Sequence, residues 1–392
     1  MATVRDVPEA VIADVVALRR DFHRHPELGF SEHRTAGIVA ERLRALGFNV
    51  HSGIAITGVV GVLRGGKPGR TIMLRADMDA LPILEETAHG HRSLSDGTMH
   101  ACGHDGHVAI LLGAAQLIAD RKDDLAGTIC LVFQPAEEGH GGAKVMLEEG
   151  VIERFGIERA YGLHISSAYP TGMLGFREGD FYASSDSIEI EVQGRGGHGS
   201  APHQTIDPIL AAASFVSAIQ QVVSRQIDPL EPAVVTIGSF HGGTIHNVIP
   251  RSVKMLGTVR AFSDEVRQAM PERIERVLKS CCDASGAAYS FDYLWRYPVT
   301  ANDVAQTVYA RALAVSTVGE GRVFEAHKLM GAEDFSFFAQ RVPACFYTLG
   351  ACGGADTAHP HHSSLFDFDE AALPAGVAMM TALAFDAPRN AP

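Results

Sequence analysis

Long apolar runs are missing from this 392-residue chain. No uninterrupted apolar stretch approaches the ~20 residues needed to cross a bilayer, which argues against an integral membrane protein. Residues 1–6 mix charged and apolar side chains, so we expect no secretory signal peptide. Basic charge is also in deficit: 33 Lys and Arg face 46 Asp and Glu, giving a net charge of −13. This balance argues against nucleic acid or an anionic membrane as the partner, and a small-molecule ligand is expected.

Cysteine is scarce and irregularly placed. The six cysteines include the adjacent pair Cys281 and Cys282 and show no regular spacing, so a disulfide framework is not expected. We therefore predict the reducing cytoplasm as the compartment. Histidine, in contrast, is abundant: the nineteen histidines cluster along the chain, which indicates metal binding or proton transfer.

Apolar periodicity predicts an α/β protein, and the length favours two domains at about 150 residues each. Helical spacing predicts opening helices over residues 8–25 and 31–46. Short apolar or β-branched runs predict strands over 59–63, 71–76 and 129–133, with a helix over 108–119. Strands that alternate with helices predict an α/β sandwich around a largely parallel sheet.

The pattern changes near Ser185. Ile188, Ile190 and Val192 alternate with polar residues, as in a strand with one wet face. The pattern then predicts a helix over 208–223, strands over 234–240 and 253–262, a helix over 265–281 and a strand over 289–295. This βαββαβ order predicts a ferredoxin-like domain at residues 184–297, inserted into a catalytic domain of residues 1–183 and 298–392. Residues 387–392 are predicted to fray.

The strongest chemical signal is the sequence MHACGHDGH at residues 99–107. Cys102 and His104 are separated by one glycine, so both side chains can turn toward one ion. A buried cysteine is often only a small apolar side chain. The three histidines and the aspartate around Cys102 favour the metal interpretation.

Further polar groups follow predicted strands. Glu137 and Glu138 (QPAEEG, residues 134–139) can divide their labour, one binding metal and the other accepting a proton. His164 ends one predicted strand, and RADMD (residues 75–79) follows Leu74. A late cluster, HPHHS, occupies residues 359–363. Because ligands of open α/β sheets bind beyond the carboxyl ends of the strands, we expect one shared site.

The mixture of thiol, imidazole and carboxylate suits zinc, manganese, cobalt or nickel better than calcium or magnesium. With about five ligands and several carboxylates, two bridged ions about 3.5–4 Å apart are more natural than one. Such a centre lowers the pKa of bound water from about 15.7 to about 7 and polarises a carbonyl. Amide hydrolysis requires both effects.

Together with these motifs, RHPELGF (24–30), LRADMDALP (74–82) and MGAEDF (330–335) resemble the M20 metallopeptidase family. The resemblance is to its amidohydrolase branch, which contains hippurate hydrolases, N-acyl amino acid amidohydrolases and auxin-conjugate hydrolases. It covers nearly the whole chain. It implies a catalytic α/β domain with an inserted ferredoxin-like lid that commonly dimerises, and hence a homodimer or higher homo-oligomer. The implied activity is hydrolysis of the amide bond of small, hippurate-like N-acyl amino acids.

The resemblance also implies a role for each residue of the site. It implies these metal ligands: Cys102, His104, Glu138, His164 and His362. They would hold two divalent ions, manganese or zinc first, with nickel and cobalt as alternatives. Glu137 is implied as the general base, which deprotonates the metal-activated water attacking the acyl carbon and then protonates the leaving amine. A one-residue slip of the alignment would exchange His361 for His362.

Other implied roles lie behind the metals and in the lid. Arg75-Ala76-Asp77 stands where the wider family has His-x-Asp, so Asp79 is implied to orient a ligand from behind. His198 (RGGHGS, 195–200) is implied to support the oxyanion, often from the partner subunit. Asn247 and Arg260 match lid positions that hold substrate, and an arginine fork suits a carboxylate.

Three alternatives stay open. A binding protein on an inactive hydrolase scaffold should lose its base, yet Glu137 is present. A cysteine-nucleophile amidohydrolase would use Cys102 and His104. A purely structural metal site would be closed and usually richer in cysteine.

Overall fold

The computed structural model describes residues 3–392; Met1 and Ala2, part of the stretch in which no signal peptide is expected, lie outside the described residues. The chain divides into two compact units. Unit 1 comprises the chain up to Phe181, Ala301–His327 and Asp334–Pro392, and unit 2 comprises Tyr182–Thr300 and Lys328–Glu333. The sequence analysis had placed Lys328–Glu333 with the catalytic domain. A lid or dimerisation role for unit 2 stays a prediction.

The helices and strands are numbered in chain order. The helices are α1 (Glu9–Arg24), α2 (His33–Ala45), α3 (His104–Asp120), α4 (Gly142–Glu148), α5 (Val151–Phe155), α6 (Pro208–Ala218), α7 (Gln220–Gln226), α8 (Asp264–Ser285), α9 (Val304–Val318), α10 (Phe335–Ala339) and α11 (Leu373–Asn390). The strands are β1 (Asn49–Ile54), β2 (Gly58–Arg64), β3 (Lys67–Asp77), β4 (Ala126–Gln134), β5 (Arg159–Pro170), β6 (Leu174–Phe176), β7 (Gly179–Tyr182), β8 (Ser185–Gln193), β9 (Gly197–His198), β10 (Ala233–Gly242), β11 (Val248–Ile249), β12 (Ser252–Ala261), β13 (Ala288–Tyr297), β14 (Thr300–Asn302), β15 (Val323–Glu325) and β16 (Ala344–Cys352).

Unit 1 is built on a sheet with the order β1-β2-β4-β3-β5-β16-β6-β15. The α/β class is confirmed, but the sheet is mixed: β1–β2, β2–β4 and β16–β6 are antiparallel pairs. The link between β1 and β2 is too short for the crossover that parallel strands need, so this pair forms a hairpin. The three central pairs β4–β3, β3–β5 and β5–β16 and the edge pair β6–β15 are parallel, so the prediction of a largely parallel sheet holds for four of the seven strand pairs.

The parallel centre of the sheet gathers the chemical motifs at one edge. Asp77 at the end of β3 pairs in register with Gln134 at the end of β4. Arg75 pairs with Gly162, two residues before His164 in β5. Helix α3 starts at His104 and is buried along most of its length. The residues that follow β3 and β4 and those that begin α3 thus meet beyond the strand ends.

The C-terminal segment is part of the core, so the prediction of a frayed tail was wrong. Helix α11 reaches Asn390, and Pro388 and Ala391 are buried. The carbonyl oxygen of Pro392 accepts a hydrogen bond from Gln306 Nε2 at 2.8 Å. The segment Glu370–Asn390 is long and apolar enough to cross a membrane by length and composition alone. Because 78% of its apolar stretch is buried, it has the character of a core helix.

Unit 2 has the predicted βαββαβ order, with the antiparallel sheet β10-β12-β8-β13. Ile188, Ile190 and Val192 of β8 are buried in a core shared with α6 and α8. The predicted single helix over 208–223 is two helices, α6 and α7. Helix α6 begins where Pro208 takes the first helical position and Asp207 accepts a hydrogen bond from the Ile209 N–H at 2.9 Å.

Candidate metal centre

Separate segments of unit 1 bring ligand-type side chains together. Cys102 and His104 lie on either side of Gly103, whose φ of 91° permits the sharp turn into α3. Glu137 and Glu138 follow β4, and His164 lies in β5. His362 lies in the loop after β16. The prediction that His164 ends a strand was wrong, because β5 continues for six residues beyond it, to Pro170. The other residues lie in loops or at the start of α3.

The ligand atoms of these residues form overlapping groups in which all atoms lie within 4.8 Å of one another. The groups are Cys102–His104–His164, Cys102–Glu138–His362 and His104–Glu137–Glu138. Cys102 Sγ lies 3.5 Å from His164 Nε2, and Glu138 Oε1 lies 3.2 Å from His362 Nε2. Because the groups share members, all the predicted ligands and Glu137 form one cluster, called the metal cluster below.

Hydrogen bonds fix the orientation of two imidazoles. His104 Nδ1–H donates to the backbone oxygen of Asp79 at 2.9 Å, and His164 Nδ1–H donates to that of Ile165 at 2.6 Å. In each ring the Nε2 lone pair therefore faces the metal cluster, as in metal-binding histidines. The buried His104 Nε2 has no hydrogen-bond partner among residues 3–392. A metal ion would satisfy this atom.

The electrostatics of the cluster also fit cations. Burial raises the pKa of Cys102 well above its usual range, and the charges of Glu138 and Glu137 raise it further. Burial alone would lower the pKa of His104, but the Asp77 charge and the contact with the Asp79 carboxylate raise it to about 10, so that without a cation Nε2 holds a proton where a metal ion would bind. The cluster therefore concentrates negative potential, and a thiolate there needs a cation. A nucleophilic cysteine needs a lowered pKa, so the cysteine-nucleophile alternative is disfavoured.

Both late histidines adjoin the cluster. His361 Nδ1 lies 3.7 Å from Cys102 Sγ, and burial lowers the pKa of His361 to about 4. His362 adopts a φ of 65°, and its hydrogen bond with Glu138 raises its pKa. The 4.8 Å grouping of His362 with Cys102 and Glu138 agrees with the sequence assignment. The choice of His362 over His361 stays a prediction.

Asp79 lies behind the ligands, where an orienting residue is expected. Its Oδ2 accepts the Glu138 N–H at 2.9 Å, and its backbone oxygen accepts from His104.

His107 was not predicted as a site residue from the sequence. Its Nε2 accepts from the Ile165 N–H at 2.8 Å, so its Nδ1–H donates to Asp77 Oδ1 at 2.6 Å. The spacing of three from His104 on one helix face was the available signal.

A buried network below the cluster was also missed. The Arg75 guanidinium, which is fully buried, donates to Gln134 Oε1 at 2.8 Å, Asp77 Oδ2 at 2.7 Å and Asp334 Oδ1 at 3.0 Å. The backbone N–H of Asp334 donates to Glu137 Oε1 at 3.4 Å. Asp334 of the MGAEDF motif thus contacts the carboxylate implied as the base.

The predicted lid residues occupy two places in unit 2. His198 in β9 pairs with Val248 in β11, which places His198 beside Asn247; both side chains are exposed. Arg260 lies near the far end of β12, which starts at Ser252. At about 3.4 Å per residue, these eight residues span roughly 27 Å. Within one chain, unit 2 therefore does not bring Arg260 to His198 and Asn247. The roles of all three stay predictions.

Comparison with known proteins gives consistent matches. The sequence pattern of peptidase family M20/M25/M40 matches residues 73–386. Thermostable carboxypeptidase 1 of Saccharolobus solfataricus is 43% identical over 369 residues, which cover 92% of each chain. An N-acyl-L-amino acid amidohydrolase of Geobacillus stearothermophilus is 43% identical over 295 residues, 75% of this chain and 79% of that one. A Bacillus subtilis dinuclear metal-binding peptidase of family M20 superposes with a TM-score of 0.84 at 35% identity, covering 97% and 99% of the two chains.

Proposed function

The chain belongs to peptidase family M20/M25/M40, and from this premise we propose that it hydrolyses the amide bond of hippurate-like N-acyl amino acids. It is a hydrolase of that family with amidohydrolase relatives. The observation that carries the proposal is the metal cluster, in which inward-facing imidazoles, a thiol and a carboxylate adjoin the second carboxylate, Glu137. We propose two divalent ions there, manganese or zinc first and nickel or cobalt as alternatives.

The proposed mechanism assigns the proton transfers to Glu137. When bound, the ions would supply Lewis acidity, which polarises the acyl carbonyl and acidifies water. Glu137 lies within 4.8 Å of ligand atoms of His104 and Glu138, so it is near enough to take a proton from water attacking the acyl carbon. Glu137 then gives that proton to the leaving amine nitrogen. The products are the free acid and the free amino acid, with no covalent enzyme intermediate.

Unit 2 would supply the substrate contacts. We propose that Arg260 binds the substrate carboxylate, that Asn247 holds substrate and that His198 supports the oxyanion. Within one chain, Arg260 lies near the end of β12, whereas His198 pairs with β11, which precedes the start of β12. A homodimer would supply Arg260 from one protomer and His198 of the partner subunit. All six cysteines are free, which supports a cytoplasmic location for the enzyme.

The proposed substrate class can be tested with a panel of compounds. The metal-stripped protein, reconstituted with one ion at a time, is assayed on benzoyl-glycine, N-acetyl amino acids, longer acyl conjugates and N-blocked dipeptides. We expect turnover of acyl amino acids that carry a free carboxylate. Preferred cleavage of the N-blocked dipeptides would instead favour a carboxypeptidase, as the name of the Saccharolobus relative suggests. No turnover with any ion would contradict the proposed function.

Arg260→Ala is expected to raise KM for free-carboxylate substrates by roughly 10- to 100-fold, because a charge-assisted bond contributes about 1.5–3 kcal/mol. The matched amide derivatives, which lack the carboxylate charge, should show a much smaller change in KM. Arg225→Ala removes an exposed arginine of the same unit and serves as the control for net charge. Equal KM changes for acids and amides would remove the carboxylate-binding role.

A further inference from the structure

Residues 27–32 contact both loops that carry the acidic motifs of the metal cluster. The backbone oxygen of Glu27 accepts the Ala80 N–H at 2.8 Å, one residue after Asp79. At the other end of the segment, Glu32 Oε1 accepts the Ala136 N–H at 2.8 Å, one residue before Glu137. The segment therefore connects the Asp79 loop to the Glu137 loop, although it lies about a hundred residues before Glu137 in the chain.

Glu32 is built into this position with both carboxylate oxygens engaged. It is fully buried, and its Oε2 accepts the Thr57 hydroxyl at 2.6 Å. A buried carboxylate is costly unless it is hydrogen-bonded, and these two hydrogen bonds offset that cost. Its two partners, Ala136 and Thr57, come from different parts of unit 1, and one of them directly precedes the proposed base.

The backbone at Ala136 needs such a partner. Ala136 adopts a φ of 56°, a left-handed conformation that is unfavourable for a residue with a Cβ. Gly29 packs so closely that a Cβ there would approach Ala136 Cα to 3.1 Å. The Ala136 oxygen accepts the Gly142 N–H at 3.0 Å. The hydrogen bond to Glu32 therefore stabilises a strained turn, and this turn sets the position of the Glu137 backbone from which the carboxylate extends.

We propose that Glu32 is a positioning residue for the general base, acting through the Ala136 N–H; this inference rests on the proposed function. The division of labour is specific. The Asp79 carboxylate accepts the N–H of Glu138, the proposed ligand, whereas the Glu32 carboxylate accepts the N–H of Ala136, which precedes the proposed base.

Glu32→Ala is expected to lower kcat on the order of 100-fold with little change in KM, because small misplacements of catalytic groups cost about this factor. Glu32→Gln should recover most of the loss, since its amide oxygen can accept from Ala136 while its NH2 donates to Thr57. Glu158→Ala is the matched control, because Glu158 also accepts a backbone N–H, that of Thr71 at 3.0 Å, but lies outside the segment that connects the two loops. That variant should keep kcat near the wild-type value.

A second readout does not depend on activity. Hydrogen–deuterium exchange of the peptide covering residues 134–141 should be faster in Glu32→Ala than in wild type, and unchanged in Glu158→Ala. Wild-type kcat in Glu32→Ala, Glu32→Gln as slow as Glu32→Ala, or equal exchange in both alanine variants would each overturn the proposal. If wild type hydrolyses no N-acyl amino acid, the proposed function fails, and the exchange comparison still tests whether Glu32 holds the loop.

Discussion

Glu137→Gln is expected to lower kcat by on the order of 10²–10⁴-fold while the protein keeps its metal. Glutamine preserves the size of the side chain, and its oxygen can still accept the Asp334 N–H. It cannot take a proton from water at neutral pH. Because Glu137 is not one of the proposed ligands, the loss should fall on kcat. Steady-state kinetics and metal content by mass spectrometry measure the two effects separately.

The neighbouring carboxylate supplies the contrast for this experiment. Glu138→Gln removes a proposed ligand, so we expect weaker metal binding, measured by titration calorimetry with Mn²⁺ on the stripped protein. Both substitutions remove one negative charge from the same loop, so a general charge effect would act alike in both variants. Turnover near the wild-type rate in Glu137→Gln would remove Glu137 from its assigned role.

Most chemical motifs of the site could be predicted from the sequence because they follow a strand or begin a helix; His164, which lies inside β5, is the exception. Cys102, His104 and the two glutamates occupy short glycine- or proline-containing stretches next to apolar runs. Once β3, β4 and β5 are parallel neighbours, their carboxyl ends must meet. The local pattern and one topological rule thus predict one shared site, whereas the individual ligands were implied by the resemblance to the M20 family.

The supporting residues could not be predicted in this way, because their partners are distant in sequence. Nothing in the chain near Glu32 indicates that its carboxylate will accept the N–H of Ala136. The same holds for Arg75, which contacts Asp334 across 259 positions. Such pairs depend on the packing of whole elements. The separation between Arg260, near the end of β12, and His198, which pairs with β11, is likewise a property of the folded sheet.

The C-terminal end of the chain shows how composition can mislead. Residues 387–392 (APRNAP) contain two prolines and an asparagine, which are typical of a loose end. In the structure, α11 packs against α3 and the sheet, and Pro388 and Ala391 are buried. Arg70 donates to the Ala391 backbone oxygen, so basic side chains of unit 1 satisfy the end of this helix. Tertiary packing thus decided the conformation.

Removal of metal is expected to abolish hydrolysis, and restoring a single divalent ion should restore it. Cys102 favours the neutral thiol without cations, because burial and two nearby glutamates raise its pKa. Addition of metal should also raise the melting temperature, since a ligand at 100 times its Kd stabilises the folded state by about 2.7 kcal/mol. Activity after chelation and reconstitution, with melting curves of both forms, measures both effects.

The same experiment separates metal chemistry from thiol chemistry. If Cys102 were a nucleophile, chelators would leave activity intact, whereas alkylating reagents would remove it. In the metal-loaded enzyme we expect the reverse, because Cys102 is buried and would be engaged by the ion, while partly exposed Cys352 can react without consequence. Peptide mapping of the alkylated protein shows which thiol has reacted. Protection of Cys102 that disappears on chelation would connect the thiol, the metal and the activity in one measurement.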